Sequence, residues 1–204
     1  MYGGQCTEGF WRSSMQLAEE LTANAFPYTW FSLTNESLIT RGRNICAAEF
    51  LNSDFSHMMF IDADIEFTPD DVGKLWAMQE EFAVGVYPMK KPGARYAAWH
   101  ADELITDLDQ FDGPICVDYA GTGFMLLSRY VFEKLAADSP DIVRYEEGQV
   151  GEISAFFQDP IDGGIHLSED YFFCQQWRIY GGGNIWMDPT VRLKHIGTYT
   201  YDGT

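Results

Sequence analysis

The chain has 204 residues, 46% of them hydrophobic and 16% aromatic, which is enough apolar mass for one substantial core without disulfide staples. Its 31 Asp and Glu outweigh 13 Lys and Arg, leaving a formal net charge of −18. Such a surface repels phosphate backbones and anionic lipid, which excludes a general polyanion binder, yet it leaves room for a local basic site and suits recruitment of a divalent cation.

In chain order, Met1-Tyr2-Gly3-Gly4 reads as a loop. Residues 9–25 carry Phe10, Met15, Leu17, Ala18 and Leu21 at helical spacing. Pro27 opens a strand-like run to Leu33, and Asn35-Glu36-Ser37 turns the chain into a helix over 37–52. A strand is expected at 57–61, a helix at 69–81 and a strand at 82–87. Thr68-Pro69-Asp70-Asp71 is a helix start, with an N-cap, Pro at the first position and acids in the first turn. Beyond residue 90 the pattern loosens. Short strands near 95–100 and 115–127, a helix over 128–137 and a long loop over 138–166 come before a helix that Ser168 caps and Gly181-Gly182-Gly183 stops. Two short strands follow. The alternation of strand and helix predicts an α/β domain with a mostly parallel central sheet flanked by helices and a smaller mixed C-terminal part.

Residues 58–64, Met-Met-Phe-Ile-Asp-Ala-Asp, are the most informative segment. An apolar run ends in two carboxylates, and on a strand that spacing points Asp62 and Asp64 to one side. Like charges at that distance need a cation beside them. A divalent metal held by few carboxylates is commonly completed by substrate phosphates, so the segment predicts a metal–diphosphate site. The strand's carboxyl end is where open α/β sheets bind ligands.

Six segments extend this. They are Tyr2-Gly3-Gly4, Asn35 to Asn44, Phe60-Ile-Asp-Ala-Asp64, Gly121-Thr122-Gly123-Phe124-Met125, Leu167-Ser-Glu-Asp-Tyr171 and His195-Ile-Gly-Thr-Tyr199. In that order and over nearly the whole chain, the sequence resembles the glycosyltransferases of the GT-A fold, in particular small single-domain ones of viruses and bacteriophages. The resemblance implies one domain over 1–204, with a nucleotide-binding half (1–90) and a donor-sugar and acceptor half (91–204). It also implies a strand ahead of Tyr2, which this sequence does not include.

The reaction the resemblance implies moves a sugar from a nucleotide-diphosphate sugar, a UDP-sugar by preference, to an acceptor hydroxyl on a glycan or modified nucleobase. Asp64 would bind the metal directly, Asp62 would hold ribose or a metal-bound water, and His195 would add a ligand. Carboxylate, imidazole and phosphate suit Mn²⁺, with Mg²⁺ as the alternative. Arg41, Arg43 and Asn44 would contact base and phosphate, Arg43 and Asn44 foremost. Tyr2 would stack on the base while Gly3 and Gly4 admit its approach. Gly121, Thr122 and Gly123 would line the donor-sugar pocket. Asp170 would be the general base and Glu169 a donor-sugar ligand or substitute base. Trp99, His100 and Trp186 are candidate sugar platforms.

Each of these residues also has a structural reading. Acids at a helix start follow from the helix dipole, an exposed arginine from a surface ion pair, and a strand-end histidine from a hydrogen bond. A non-catalytic nucleotide-sugar-binding module is one alternative function. A phosphatase of the haloacid dehalogenase class is another, although Glu66 stands where its motif wants Thr or Val. The expected partners are the donor and the acceptor, with no membrane and no strong duplex nucleic-acid binding. Cys6, Cys46, Cys116 and Cys174 form no metal-type pair and are expected as buried free thiols of a cytoplasmic protein, in the host cytoplasm if viral.

Overall fold

The computed structural model describes residues 2–91, 93, 95–148, 150–197 and 200–202. Helix α1 (Glu8–Ala23) starts where the Thr7 hydroxyl accepts from the Phe10 amide, and α2 spans Ile39–Leu51. Strand β1 (His57–Ile61) leads to β2 (Ile65–Glu66), then α3 (Pro69–Ala77) and β3 (Phe82–Val84). Four short strands follow: β4 (Ala98–His100), β5 (Glu103–Leu104), β6 (Ile115–Val117) and β7 (Tyr119–Ala120). Next come β8 (Phe124–Ser128), α4 (Arg129–Asp138) and two hairpins, β9 (Arg144–Glu147) with β10 (Gly151–Ser154) and β11 (Ile161–Asp162) with β12 (Ile165–His166). Helix α5 (Glu169–Gln176) runs into a π-helical turn at Trp177–Gly181 before β13 (Ile185–Met187), β14 (Lys194–Ile196) and β15 (Thr200–Tyr201).

The fold is α/β, and its main sheet has the order β1-β8-β3-β13-β6. Only β3 and β13 pair in parallel, while the other three neighbours are antiparallel, so the sheet is mixed rather than mostly parallel. The local reasoning from strand–helix alternation holds where it applies. β1 and β3, joined through α3, run the same way because each is antiparallel to β8. What alternation does not reveal is that β8, from much later in the chain, slots between them.

Every residue of β8 is buried, as expected of a strand covered on both faces. Met125 and Leu127 pack with Phe82 and Val84 against α2, α4 and α5 on one face, through Phe50, Phe132 and Phe173. Phe124 and Leu126 pack with Ala83 against α1 and α3 on the other, through Leu17 and Leu75. This period-2 split makes three layers, helix–sheet–helix.

Two other expectations change. Residues 27–33 form no strand among the described residues. Tyr28, Trp30 and Phe31 have strand propensity but are exposed, and propensity without a packed face does not make a strand. The stretch 138–166 is not one long loop, because positive-φ glycines (Gly148, Gly151, Gly163, Gly164) close it into the two hairpins. The helix start at Thr68 is as read: a capping box in which Asp71 accepts from the Thr68 amide at 2.8 Å. All four cysteines are free thiols, but only Cys174 is fully buried and Cys6 is exposed.

Candidate functional site

The site forms where β1 leaves the sheet. Strand β1 stops at Ile61, and Asp62-Ala63-Asp64-Ile65 is a turn closed by the Ile65 amide on the Asp62 carbonyl at 3.0 Å. Asp62 and Asp64 therefore do not share a strand face. The turn aims them at different partners.

Asp64 meets His195. Strand β14 pairs antiparallel with β2 so that His195 lies opposite Ile65, and the Ile196 amide donates to the Asp64 carbonyl at 2.7 Å. That register sets His195 Nε2 3.5 Å from Asp64 Oδ2. The other ring nitrogen, Nδ1, lies 3.0 Å from the Pro88 carbonyl. A carbonyl only accepts, so Nδ1 carries a proton, and Nε2 is the ring nitrogen turned toward Asp64. A metal-ligating histidine is commonly fixed by such a bond through its other nitrogen. Lys90 ion-pairs with the same Asp64 oxygen. Burial pushes the Asp64 carboxyl up, but the hydrogen bonds and charges of His195 and Lys90 outweigh it and hold the group at about 2.

Asp62 instead faces Arg43, whose Nη2 lies 3.3 Å from Oδ1, while Arg43 Nε lies 3.4 Å from Glu169 Oε1. Arg43 is 8% exposed and packs over the Phe60 ring at 5.4 Å. Burial works against its charge, and the carboxylates of Asp62, Glu169 and Asp170 more than restore it. The arginine is thus a buried clamp joining β1 to α5, not a side chain offered to a nucleotide.

Asn44 is also turned inward. Its amide donates to the Phe157 carbonyl at 3.0 Å and its oxygen accepts from the Phe157 amide at 2.8 Å, which uses both ends. Arg41 is partly exposed and forks onto Glu36 at 2.7 and 2.8 Å. Gly3 and Gly4 both adopt positive φ in a short 3-10 turn, and the Tyr2 ring lies outside the described part of the structure, as do Thr198 and Tyr199.

At the start of α5, Asp170 Oδ1 accepts from the Ser168 hydroxyl and, at 2.8 Å, from the Tyr171 amide. Among the described residues Oδ2 accepts nothing. Burial raises the Asp170 carboxyl above its ordinary value, against those hydrogen bonds. Burial and the Asp170 charge also raise Glu169, against Arg43. A carboxylate moved toward neutrality with one oxygen unengaged has the properties of a general base.

Tyr87 explains the glycines. A Cβ on Gly121 would sit 2.3 Å from the Tyr87 hydroxyl, and one on Gly123 would sit 2.8 Å from its ring. The Tyr87 hydroxyl accepts from the Gly123 amide at 3.1 Å, and its ring meets His195 edge-on at 5.0 Å. The glycine pair thus makes room for a buried tyrosine beside the site. Thr122 between them is 1% exposed, with a hydroxyl that has no hydrogen-bond partner among the described residues.

Of the suggested platforms, Trp99 adjoins the site through its indole N–H, which donates to the Tyr171 hydroxyl at 2.9 Å. His100 is tied to the Cys116 carbonyl at 2.8 Å and Trp186 lies within the main sheet. Sequence reasoning missed Tyr87 and Lys90. For Lys90 there was a signal, the basic run Lys90-Lys91 with Arg95 in an acidic chain.

Among the described residues no three His, Cys, Asp or Glu side chains gather closely enough to enclose a metal. Asp64 and His195 offer two ligands of suitable chemistry, which leaves further positions to phosphate oxygens and water. No helix among the described residues is long and apolar enough to cross a membrane.

No protein-family model and no curated protein matches the chain. Among solved structures it is similar to the crystal structure of A197 from STIV, with a TM-score of 0.53 and 17% identity over 89% of this chain and 78% of that one. At that identity the likeness speaks to the fold alone.

Proposed function

We propose that the protein is a metal-dependent glycosyltransferase of the GT-A type, moving a sugar from a nucleoside-diphosphate sugar, a UDP-sugar by preference, to an acceptor hydroxyl on a glycan or a modified nucleobase. The observation that carries this reading is the approach of Asp64 and His195, 131 positions apart, to 3.5 Å with the histidine's other nitrogen fixed on Pro88. A carboxylate oxygen and an imidazole nitrogen brought this close, with the ring fixed through its other nitrogen, are a donor pair suited to a divalent cation.

Mn²⁺ or Mg²⁺ held there supplies electrostatic stabilisation of the charge that builds on the departing diphosphate. The chain's own residues do the rest. Asp64 and His195 hold the metal, and Arg43 holds Asp62 and Glu169 in place. Asp170, through its unengaged Oδ2, takes the proton of the acceptor hydroxyl as that oxygen attacks the anomeric carbon and the bond to the diphosphate breaks. A hydroxyl is a weak nucleophile at neutral pH without such a base. The GT-A reading of the mixed sheet rests on the order of the sequence motifs along the chain.

The test is release of nucleoside diphosphate from a panel of nucleotide sugars with Mn²⁺. Release from at least one UDP-sugar, abolished by chelator and by Asp64→Asn, is expected. Binding of donors without any release across the panel would favour a sugar-binding module instead.

A further inference from the structure

The ion pair between Lys90 and Asp64 puts an ammonium against one of the two oxygen and nitrogen atoms that the metal reading needs. We propose that Lys90 is a ligand for the donor's diphosphate, held on Asp64 until a divalent cation takes that oxygen and then handed to the phosphates. This inference rests on the function proposed above and names the side chain that completes its diphosphate site.

Three observations support it. The first is charge. Asp62, Asp64, Glu169 and Asp170 are the carboxylates of the proposed site, in a chain of net charge −18. A nucleoside diphosphate carries more negative charge than one divalent cation neutralises, so a further cation is needed. The second is commitment. Arg43 is buried and already bonded to Asp62 and Glu169, so it cannot turn to a ligand without stranding both. Lys90 is 36% exposed on a four-carbon stem and, among the described residues, is bound only to Asp64. The third is place. Lys90 begins the loop that the Met89 amide closes on the Arg95 carbonyl, next to the bridge between Pro88 and Tyr96. The Pro88 carbonyl at the base of that loop holds His195, so the loop that orients one metal ligand carries the cation on the other. The same loop bears exposed Lys91 and Arg95, giving three of the chain's 13 basic side chains within six positions.

Two cations do not share one carboxylate oxygen without repulsion. A metal arriving at Asp64 therefore displaces the ammonium, which remains within reach of phosphates bound to that metal. A lysine suits this exchange because it is a compact point charge on a flexible chain.

The exchange gives effects of opposite sign. In Lys90→Met, Mn²⁺ alone, followed by electron paramagnetic resonance, should bind roughly two- to fivefold more tightly, since an exposed competing ion pair is gone. UDP at saturating Mn²⁺, followed by calorimetry, should bind about tenfold more weakly, as for loss of one charge-assisted hydrogen bond. Lys90→Arg should keep most of the UDP affinity. Circular dichroism checks that the variants fold. If Lys90→Met binds UDP as the parent does, or binds Mn²⁺ no better, the exchange is refuted while the glycosyltransferase reading stands on the parent's binding. If the parent binds neither Mn²⁺ nor UDP, both fall.

Discussion

Arg43 Nε lies 3.4 Å from Glu169 Oε1, a contact between α2 and α5 across 126 positions of chain, with both side chains largely buried. Through Nη2 the same guanidinium reaches Asp62. One side chain therefore fixes the relation between the carboxylates after β1 and those that open α5.

Removing it should cost stability as well as order. Arg43→Met leaves Glu169 as a buried carboxylate without its cation, a change that typically costs about 3–5 kcal/mol. Urea unfolding monitored by tryptophan fluorescence measures this. A loss comparable to that of a surface substitution would show that the clamp is not formed.

Asp170→Asn keeps the acceptor for Ser168 and Tyr171 and removes the base. Turnover should fall on the order of 10²–10⁴-fold with donor affinity nearly unchanged. Glu169→Gln, which removes a charge from Arg43, should chiefly lower stability. In the parent, the rate should rise with pH through a window displaced above the ordinary aspartate value of 3.8, because burial raises Asp170 and only its ionised form accepts a proton. With Glu169 adjacent, the limb reports the pair. An acid limb at or below that ordinary value would count against Asp170 as the base.

Gly121→Ala should destabilise by about 1–3 kcal/mol, the usual cost of overpacking, because the new methyl meets the Tyr87 hydroxyl. Tyr87→Phe removes the clashing atom. The double variant should therefore lose less than the sum of the two single changes. Strict additivity in thermal unfolding would show that the glycine is needed for something other than Tyr87.

In metal-free protein, Asp64 contributes to stability through its depressed carboxyl. The contribution is fully present above the ordinary value of 3.8 and is lost as pH falls from there toward about 2, where the folded form takes up its proton. Asp64→Asn should flatten the stability curve in that interval. The effect is modest, since Asp64 and Lys90 are both about a third exposed. An unchanged slope would mean that Lys90 and His195 do not hold the carboxylate in solution.

Much of this architecture is legible locally. The apolar run 57–61 and its acidic end, the Thr68 cap and the Ser168 helix start need only near neighbours. What could not be read is what distant segments do to one another. The insertion of β8 between β1 and β3 depends on strand pairing across more than 60 positions. Arg43 and Asn44 read as contacts to base and phosphate, and they turn inward because Glu169 and the Phe157 backbone meet them there. The Gly121-Thr122-Gly123 segment reads as the lining of a donor-sugar pocket, and that its glycines make room for Tyr87 is visible only in three dimensions.

The most direct measurement is calorimetric titration of UDP into the protein, once with Mn²⁺ and once with chelator. The account predicts binding that requires Mn²⁺, that is lost in Asp64→Asn and His195→Ala, and that survives in Asp170→Asn. Equal affinity with Mn²⁺ and with chelator, or undiminished binding in Asp64→Asn, would contradict it.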